Sequence, residues 1–389
     1  MSAREMLRQL VFNGYEVAVL GATIFDSEKG LSKFPEDWKK IIGMEEIILV
    51  QDSPLEHRLL VTARTARLLM TAHEADRWYA LYIELLDTFK PDLVWFYGGQ
   101  TLDLLIPDAA KERGIPCAAY LANGSYIGKR WYRDVDVIIT NSQANSDYYA
   151  RQDGFTSTPV GVFIDPVTVV AAEHTRNNIL FINPSLEKGA GIVIQLALLL
   201  EKRRPDIKFE VVESRGNWQA LVQQVTTHYG DPREALDNVI VIPNTTDMRS
   251  IYGRARLLLA PSLWWESSGR VVVEALLNGI PAIVTDRGGL PEMLGNGGIK
   301  VQFPEECYEK PYTSFPKLAI LEPLVQKIIQ FYDDEDFYNE FIARAEHVGK
   351  TSLSLEQSTT RLIEAFLPFL QKRAGDNSGC LTSERTQQK

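Results

Sequence analysis

The feature that most constrains the fold is an alternation of short apolar strands with helical segments, which occurs twice along the chain. In the first half, a helical segment at residues 3–12 comes first and the longest one spans residues 63–89. The predicted strands lie at residues 16–20, 46–50, 93–97, 116–121 and 136–140. Strands that are apolar on both faces and joined through helices form parallel sheets covered by those helices. The first half is therefore predicted to be an α/β domain.

The same alternation restarts after a polar stretch that contains Pro166. Helical segments at residues 191–202, 218–229 and 269–277 separate five further predicted strands. These strands lie at residues 178–182, 208–213, 239–242, 256–260 and 282–285. Doubly wound sheets carry their ligand-binding loops at the carboxyl ends of their strands. The sequence thus predicts two Rossmann-like domains that face each other across a cleft.

The chain length agrees with this division, because 389 residues correspond to two domains at roughly 100–200 residues each. We predict a first domain at residues 1–170 and a second at residues 171–350. A C-terminal helix is predicted at residues 351–372, where Ser354 begins a capping-box pattern. The tail at residues 373–389 is polar and contains glycine, which is typical of disorder.

Charge and composition limit the partners. The net charge of −10 argues against nucleic acid or an anionic membrane surface as the main partner, so a phosphate ligand would need a local cluster of cations. The three cysteines indicate a reducing compartment without a disulfide framework. With no secretory signal and no apolar run long enough to span a membrane, we expect a cytoplasmic protein. No Cys/His spacing indicates a metal site.

The strongest chemical signal lies between a predicted strand and a predicted helix, at residues 261–275. Ser267, Ser268 and Gly269 fall in the first turn of that helix, where unpaired amides and the helix dipole favour an anion such as phosphate. Arg270 adds a positive charge. The segment predicts an anion site, although serines at this position are also common helix caps.

Glu274 is the unusual residue of the following helix, which is otherwise apolar on every side. A buried carboxylate is costly without partners, so Glu274 is expected to accept hydrogen bonds from protein donors or from ligand hydroxyls. The structural alternative is an ion pair with an arginine such as Arg256. The local sequence leaves both interpretations open.

Two further loops follow strands of the second domain. Lys188, next to Gly189, is placed to pair with a phosphate, with a solvated surface lysine as the alternative. Gly288 and Gly289 fit a backbone that approaches a ligand closely, with an ordinary tight turn as the alternative. For Gly98 and the glycine that follows it in the first half, we favour the turn.

Together these segments resemble the retaining glycosyltransferases of the GT-B fold that carry an E-x7-E motif. Glu266 and Glu274 match the two glutamates, and Lys188 matches the phosphate-binding lysine of that group. The resemblance spans residues 179–292; in the first domain it is limited to the pattern and to pieces such as residues 138–144 and 161–165. Further matching positions are Pro261, Ser262, Gly269, Ala275, Gly279, Ile280, Pro281, Gly288, Gly289, Leu290, Pro291 and Glu292.

The resemblance implies transfer of a sugar from a UDP- or GDP-sugar to an acceptor hydroxyl with retention of configuration. It implies that Lys188 binds the donor diphosphate, Glu266 contacts the donor sugar and acts in catalysis, and Glu274 binds the ribose. The amides of residues 267–270 would hold sugar and phosphate. Neither a metal nor another cofactor is implied, because cations and the helix dipole neutralise the leaving diphosphate. The helix at residues 351–372 would return to the first domain.

The chain departs from this group at three places. Asn183 stands in the segment where the group commonly has an arginine, so Arg215 or Arg270 is the expected replacement. Asn123 follows the strand after which many members have a histidine, and it can bind a sugar hydroxyl without charge. The chain also begins at the first helix, without the usual opening strand and glycine-rich loop.

These departures motivate an alternative function: a non-catalytic GT-B module that binds a nucleotide sugar or a partner protein. The acceptor is open between a sugar, a lipid-linked sugar and a small molecule. Peripheral membrane contact is only hinted at by Lys129, Arg130 and Arg133 near Trp131. Trp264 and Trp265 beside Glu266 could either stack on a ligand or pack against protein.

Overall fold

The structure, a computed structural model, describes residues 2–25, 34–44, 46–98, 101–128, 132–214 and 216–380. The predicted pair of doubly wound α/β domains is confirmed. Within these residues, the first domain has two sheets, one of three strands and one of four, whereas the second has a single sheet of six strands.

The first domain begins with a helix, as expected, and continues with alternating strands and helices. Its elements are α1 (Ser2–Phe12), β1 (Val19–Ala22), β2 (Ile47–Asp52), β3 (Leu55–Leu60), α2 (Ala72–Phe89), β4 (Val94–Phe96), α3 (Leu105–Glu112), β5 (Cys117–Leu121), β6 (Val137–Thr140), α4 (Gln143–Asp153) and β7 (Thr158–Pro159). Strands β4, β5, β6 and β7 are parallel and adjacent in that order. The other sheet has the order β1-β3-β2, and β2 and β3 are antiparallel.

The helix predicted at residues 63–89 is too long by nine residues, because α2 begins at Ala72. Thr71 and Glu74 form a capping box there, in which the Thr71 hydroxyl accepts from the Glu74 N–H and the Glu74 carboxylate accepts from the Thr71 N–H. This cap fixes the helix start. Residues 55–60, for which we predicted no strand, form β3 because their backbone pairs with both β1 and β2.

The second domain follows the predicted strands closely. Its elements are β8 (Asn178–Ile182), α5 (Ala190–Arg203), β9 (Phe209–Val212), α6 (Trp218–His228), β10 (Val239–Ile242), α7 (Arg249–Arg254), β11 (Ala255–Ala260), α8 (Arg270–Leu277), β12 (Ala282–Thr285), α9 (Leu290–Leu294), β13 (Gly298–Val301), α10 (Leu318–Asp333), α11 (Glu335–Lys350) and α12 (Leu355–Cys380). The sheet is parallel throughout.

The strand order of this sheet, β10-β9-β8-β11-β12-β13, locates its ligand crevice. From β8 the chain proceeds in one direction to β9 and β10, and it then returns to the other side of β8 with β11. The crevice of an open α/β sheet lies at such a reversal, outside the carboxyl ends of the two strands. The loops after β8 and β11 are therefore neighbours, and they carry Lys188 and Glu266 respectively.

Helix α12 follows the second domain in sequence but packs against the first. Leu362 and Phe366 are buried in a core with Met6, Tyr120 and Ile139. The expected start of this helix is supported by the Ser354 hydroxyl, which accepts from the Gln357 N–H.

The prediction that the chain is disordered from residue 373 is wrong for residues 373–380, since α12 ends at Cys380. Polar composition indicated exposure there and did not exclude a helix. Residues 381–389 lie outside the described part.

Candidate functional site

A cavity of about 450 Å³ lies between the two domains, within the range of roughly 300–1,000 Å³ that is usual for small-molecule sites. The first domain contributes Ala3, Tyr97, Tyr120, Ala122, Asn141 and Val162. The second contributes the loops after β8 and β11 and the first turn of α8. The predicted residues that line it are Lys188, Glu266, Ser267, Ser268, Gly269 and Arg270.

Lys188 is held at the cavity by the turn that precedes α5. Gly189 has a φ of +83°, and a Cβ atom there would come within 2.1 Å of the Pro261 carbonyl oxygen, so only glycine fits. The Lys188 ammonium forms an ion pair with the Glu266 carboxylate, which also accepts from the Ser262 hydroxyl at 3.0 Å. Lys188 thus lines the cavity as a paired, partly buried cation.

The loop that carries Glu266 is supported from behind by the paired glycines. A Cβ at Gly288 would lie 2.0 Å from the Glu266 carbonyl oxygen, and one at Gly289 would lie 2.5 Å from the Ser267 carbonyl oxygen. The Gly289 N–H donates to the Glu266 carbonyl at 2.7 Å. These glycines permit a close approach between two protein loops, and their approach to a ligand stays a prediction.

Helix α8 begins at the cavity. Gly269 precedes it with a φ of +110°, and no side chain caps this end of the helix. The N–H groups of a first helical turn have no partner within the helix, and together with the dipole they attract an anion. The interpretation of Ser267 and Ser268 as caps of α8 is therefore wrong, and the predicted anion site keeps its geometry.

Glu274 lies one turn further along α8 and is buried. One carboxylate oxygen accepts from the Arg270 guanidinium at 2.5 Å, and the other accepts from the Tyr252 hydroxyl at 2.7 Å. Burial, and then the Glu274 charge, raise the pKa of Tyr252 well above its usual value, so this hydroxyl stays a donor. Arg270 lines the cavity, whereas Glu274 stands behind it.

The arginine suggested as the structural partner of Glu274 is engaged elsewhere. Arg256 donates to the Phe331 carbonyl and pairs with Glu335, both at 2.7 Å. Its guanidinium also lies 3.8 Å from the centre of the Tyr338 ring. The partner of Glu274 is Arg270, one helical turn away on its own helix, and the second partner, Tyr252, had no signal in the sequence.

The hydroxyls of Ser267 and Ser268 contact the first domain. The Asn141 amide donates to both hydroxyls at 3.1 Å and to the Ala122 carbonyl at 2.9 Å. The Ser267 hydroxyl itself donates to Ala122 at 2.8 Å. The two serine hydroxyls therefore bind the first domain across the cleft. Asn141 had one detectable signal, its position directly after a buried strand.

Asn123 does not line the cavity. Its side-chain oxygen accepts from the Ser125 N–H at 2.9 Å and closes a local turn. Arg215 lies outside the described residues. Its neighbour Gly216 packs against the Pro184 carbonyl in the loop after β8, where a Cβ atom would lie 1.7 Å from that oxygen.

The aromatic residues near the site pack against protein. The Trp265 ring lies 4.7 Å from the Tyr148 ring of the first domain, between ring centres. Trp264 is half-exposed, and the Lys310 ammonium lies 5.1 Å from the centre of its ring. Trp265 therefore joins the two domains. Within the described residues, no group of three or more His, Cys, Asp or Glu side chains is arranged to hold a metal ion.

Residues 169–348 match the model of the family Glycosyl transferases group 1. The second domain is thus similar to this family over nearly its whole predicted length. The group 1 match begins close to the predicted start of the second domain and contains Lys188, Glu266, Arg270 and Glu274. No curated protein matches the chain in overall sequence.

Several solved glycosyltransferases share the fold of the whole chain. A glycosyltransferase from Rickettsia africae is 16% identical with a TM-score of 0.66, over 95% of this chain and 94% of that one. Anabaena HepE, solved with UDP and glucose, is 16% identical with a TM-score of 0.64, over 94% and 96%. The pneumococcal O-GlcNAc transferase GtfA, solved with UDP and GlcNAc, is 13% identical with a TM-score of 0.58, over 83% and 70%. The chain thus has the two-domain GT-B fold.

In the part of the chain that the structure describes, none of the helices combines the length and apolar character needed to cross a membrane.

Proposed function

We propose that the protein is a retaining glycosyltransferase that transfers a sugar from a UDP- or GDP-sugar to an acceptor hydroxyl, without a metal ion, in glycan or glycoconjugate biosynthesis. The observation that carries this proposal is the convergence of Lys188, Glu266, Arg270 and the start of α8 on one cavity between the domains. The similarity of the second domain to the group 1 family and the UDP complexes of proteins with the same fold support it.

The donor diphosphate would lie at the start of α8. Lys188 and Arg270 supply two positive charges at the cavity wall, and the first-turn amides of α8 supply further donors. Charge develops on the leaving diphosphate as the glycosidic bond breaks, and preorganised donors stabilise that charge. Arg215 is proposed as a further cation, because its loop reaches Pro184 beside Asn183, which also lines the cavity.

The sugar and ribose would lie on either side of this diphosphate. Glu266 lines the cavity and is proposed to bind hydroxyls of the donor sugar near the reacting carbon. Glu274 is proposed to bind the ribose, since each carboxylate oxygen keeps an acceptor site beside Arg270 and Tyr252. Asn123 is proposed to contact the acceptor sugar at the edge of the cavity, next to Ala122, which lines it.

We propose retention through front-face attack. The acceptor hydroxyl would approach from the side of the leaving phosphate, whose oxygen takes up the hydroxyl proton as the new glycosidic bond forms. No protein base is then required, and the contribution of Glu266 is electrostatic and positional. The acceptor would enter from the first-domain side, past Tyr97 and Tyr120.

The acceptor could be a sugar, a lipid-linked sugar or a small molecule. We propose that the protein is located in the cytoplasm. Lys129, Arg130 and Trp131, which hinted at peripheral membrane contact, lie outside the described residues. Arg133 is exposed, but it pairs with Asp134 at 2.7 Å and lies 3.6 Å from Asp108. Its charge is thus largely offset by neighbouring carboxylates.

A second candidate is a non-catalytic module that binds a nucleotide sugar or a partner protein. The observation that favours it is the pairing of Lys188 with Glu266, together with the use of both serine hydroxyls by the first domain. In this state the polar groups of the site satisfy one another. Binding without transfer would then be the whole function.

Calorimetric titration with UDP and GDP, followed by a turnover assay with a panel of nucleotide sugars and acceptors, tests both candidates. Binding with release of UDP or GDP in the presence of acceptor supports the enzyme, and NMR of the product decides retention. Binding without turnover favours the module. If neither UDP nor GDP binds, and Glu274→Gln gives the same calorimetric and turnover results as wild-type protein, both nucleotide-sugar functions are refuted.

A further inference from the structure

We infer that Glu266 is an internal competitor of the donor diphosphate for Lys188, so that donor binding exchanges one anionic partner of this lysine for another. The inference rests on the proposed function, because it assumes a nucleoside diphosphate in the cavity. It adds to the sugar-binding role of Glu266 a role in setting the affinity for the nucleotide itself.

The contact that motivates this inference is the ion pair between the Lys188 ammonium and Oε1 of Glu266. Both side chains line the cavity, with exposed fractions of 28% and 18%. A phosphate at the start of α8 would compete for the same ammonium, since both are anions within reach of one cation. Removing the carboxylate from Lys188 is then part of the free energy of nucleotide binding.

Only side chains need to move in this exchange. The backbone at Lys188 is fixed by Gly189 against Pro261, and the backbone at Glu266 is fixed by Gly288 and Gly289. Both side chains are long and partly exposed, so new rotamers are accessible to them. The exchange therefore leaves the two loops in place.

Glu266 has a second contact besides Lys188. The Ser262 hydroxyl donates to the same Oε1 at 3.0 Å, and Ser262 lines the cavity as well. A carboxylate held by one hydroxyl retains acceptor sites for sugar hydroxyls. A complete donor would therefore supply new partners to Glu266, whereas UDP or GDP alone would supply none.

The second ion pair of the cavity behaves differently. The carboxylate of Glu274 is held by Tyr252, which is fully buried, and by Arg270 at the same time. Releasing Arg270 would leave a buried charge with one donor, which is costly. Exchange is therefore assigned to the Lys188–Glu266 pair, whose carboxylate is 18% exposed against 10% for that of Glu274. The Arg270–Glu274 pair is expected to persist.

The test compares the affinities of UDP, GDP and inorganic pyrophosphate for wild-type protein, Glu266→Gln and Glu187→Gln by calorimetry. Glu187→Gln removes the same charge from the exposed residue next to Lys188 and is the matched control. Glu266→Gln is expected to bind the nucleotides about fivefold more tightly, which corresponds to roughly 1 kcal/mol for a partly exposed ion pair. Glu187→Gln is expected to change affinity by less than twofold.

A double-mutant cycle with Lys188→Met separates competition from general electrostatics. With Lys188 removed, Glu266→Gln is expected to give no further tightening. Glu266→Ala serves as a second variant and is expected to shift affinity in the same direction as Glu266→Gln.

Equal or weaker nucleotide binding by both Glu266 variants overturns the competition and leaves the proposed function standing. Tightening that persists without Lys188 also overturns it. If wild-type protein binds neither nucleotide nor pyrophosphate, the proposed function fails, and this inference fails with it.

Discussion

The carboxylate of Glu292, in the second domain, accepts a hydrogen bond at 2.9 Å from the backbone N–H of Gln143, the first residue of helix α4 in the first domain. Its other oxygen accepts from the N–H of Ala144 at 3.0 Å. An anion at a helix N-terminus is favoured by the unpaired amides and by the dipole. Glu292 thus joins the two domains by accepting from the first N–H groups of a helix of the opposite domain.

We predict that Glu292→Ala favours an open form, because the capping anion is lost at a cost of about 1 kcal/mol. The radius of gyration from solution scattering should increase, and the KM for donor should rise more than kcat falls. Gln143→Ala is the control, since it preserves the backbone N–H that Glu292 uses. Identical scattering of Glu292→Ala and wild-type protein would contradict the assignment.

Asn141 provides a second connection across the cleft, and its replacement by aspartate is predicted to reduce activity more than its replacement by alanine. Alanine removes the donors to Ser267 and Ser268, whereas aspartate also places a negative charge on the cavity wall. That charge would repel the donor diphosphate. UDP and GDP affinities measured by calorimetry should decrease from wild type to Asn141→Ala and again to Asn141→Asp. If Asn141→Asp binds the nucleotides more tightly than Asn141→Ala, the diphosphate does not lie near Asn141.

Tyr252 is predicted to position Arg270 through Glu274. Tyr252→Phe removes the hydroxyl that holds Glu274 at 2.7 Å, which should lower the free energy of unfolding by about 1–3 kcal/mol and also weaken nucleotide binding. Tyr338→Phe is the matched control, because Tyr338 is another buried tyrosine of this domain and its hydroxyl contacts the Arg256 carbonyl at 3.1 Å. Chemical denaturation should show similar losses of stability in the two variants. Calorimetric titration should show weaker UDP or GDP binding only in Tyr252→Phe. Equal affinities in both variants would reduce Tyr252 to a structural role.

The apolar pattern predicted five of the six strands of the second sheet, because β8, β9, β11 and β12 are largely buried and even the more exposed β10 is fully apolar in sequence. It missed the edge strand β13, which is only partly buried. Three of the predicted strands, Asn178–Ile182, Val239–Ile242 and Ala282–Thr285, have the predicted bounds. In the first domain, β3 is only partly buried and is fixed by pairing with distant strands, so its local pattern carried a weaker signal. The start of α2 depended on a cap at Thr71 that the apolar spacing did not reveal.

The same distinction applies to the site. Lys188 and Glu266 both follow strands of a predicted parallel sheet, so both were expected at its carboxyl edge. Their meeting depends on β8 and β11 being neighbours, which the structure supplies. The contacts of Asn141 with Ser267 and of Glu292 with Gln143 depend on how two domains face each other, which neither local sequence specifies. Burial of Tyr252 against α8 likewise arises only in three dimensions.

Cys117 and Cys307 are predicted to be unreactive in the native protein. Burial raises the pKa of Cys117 far above its usual value and raises that of Cys307 to about 11, so both remain protonated near neutral pH. The thiolate is the reactive form, and both residues are buried. Labelling with a thiol reagent at pH 8, read by peptide mass spectrometry, should modify them only after denaturation. Rapid native labelling of Cys117 would contradict the burial of β5.

Truncation after Lys350 is predicted to unfold the first domain, although the deleted helix α12 follows the second domain in sequence. The truncation removes Leu362 and Phe366 from the first-domain core, together with the Ser358 hydroxyl that donates to the Val162 carbonyl at 2.9 Å. Loss of buried apolar side chains of this size costs about 2–5 kcal/mol each.

The point variants Leu362→Ala and Phe366→Ala test the same prediction within the full chain. Each should lower the melting temperature of the first domain, whereas Leu367→Ala, on the exposed face of the same helix, should leave it nearly unchanged. Scanning calorimetry should then show the first domain unfolding before the second, because the six-stranded sheet retains its own core. A truncated protein with unchanged solubility and activity would show that α12 contributes nothing to the first domain or to closure of the cleft.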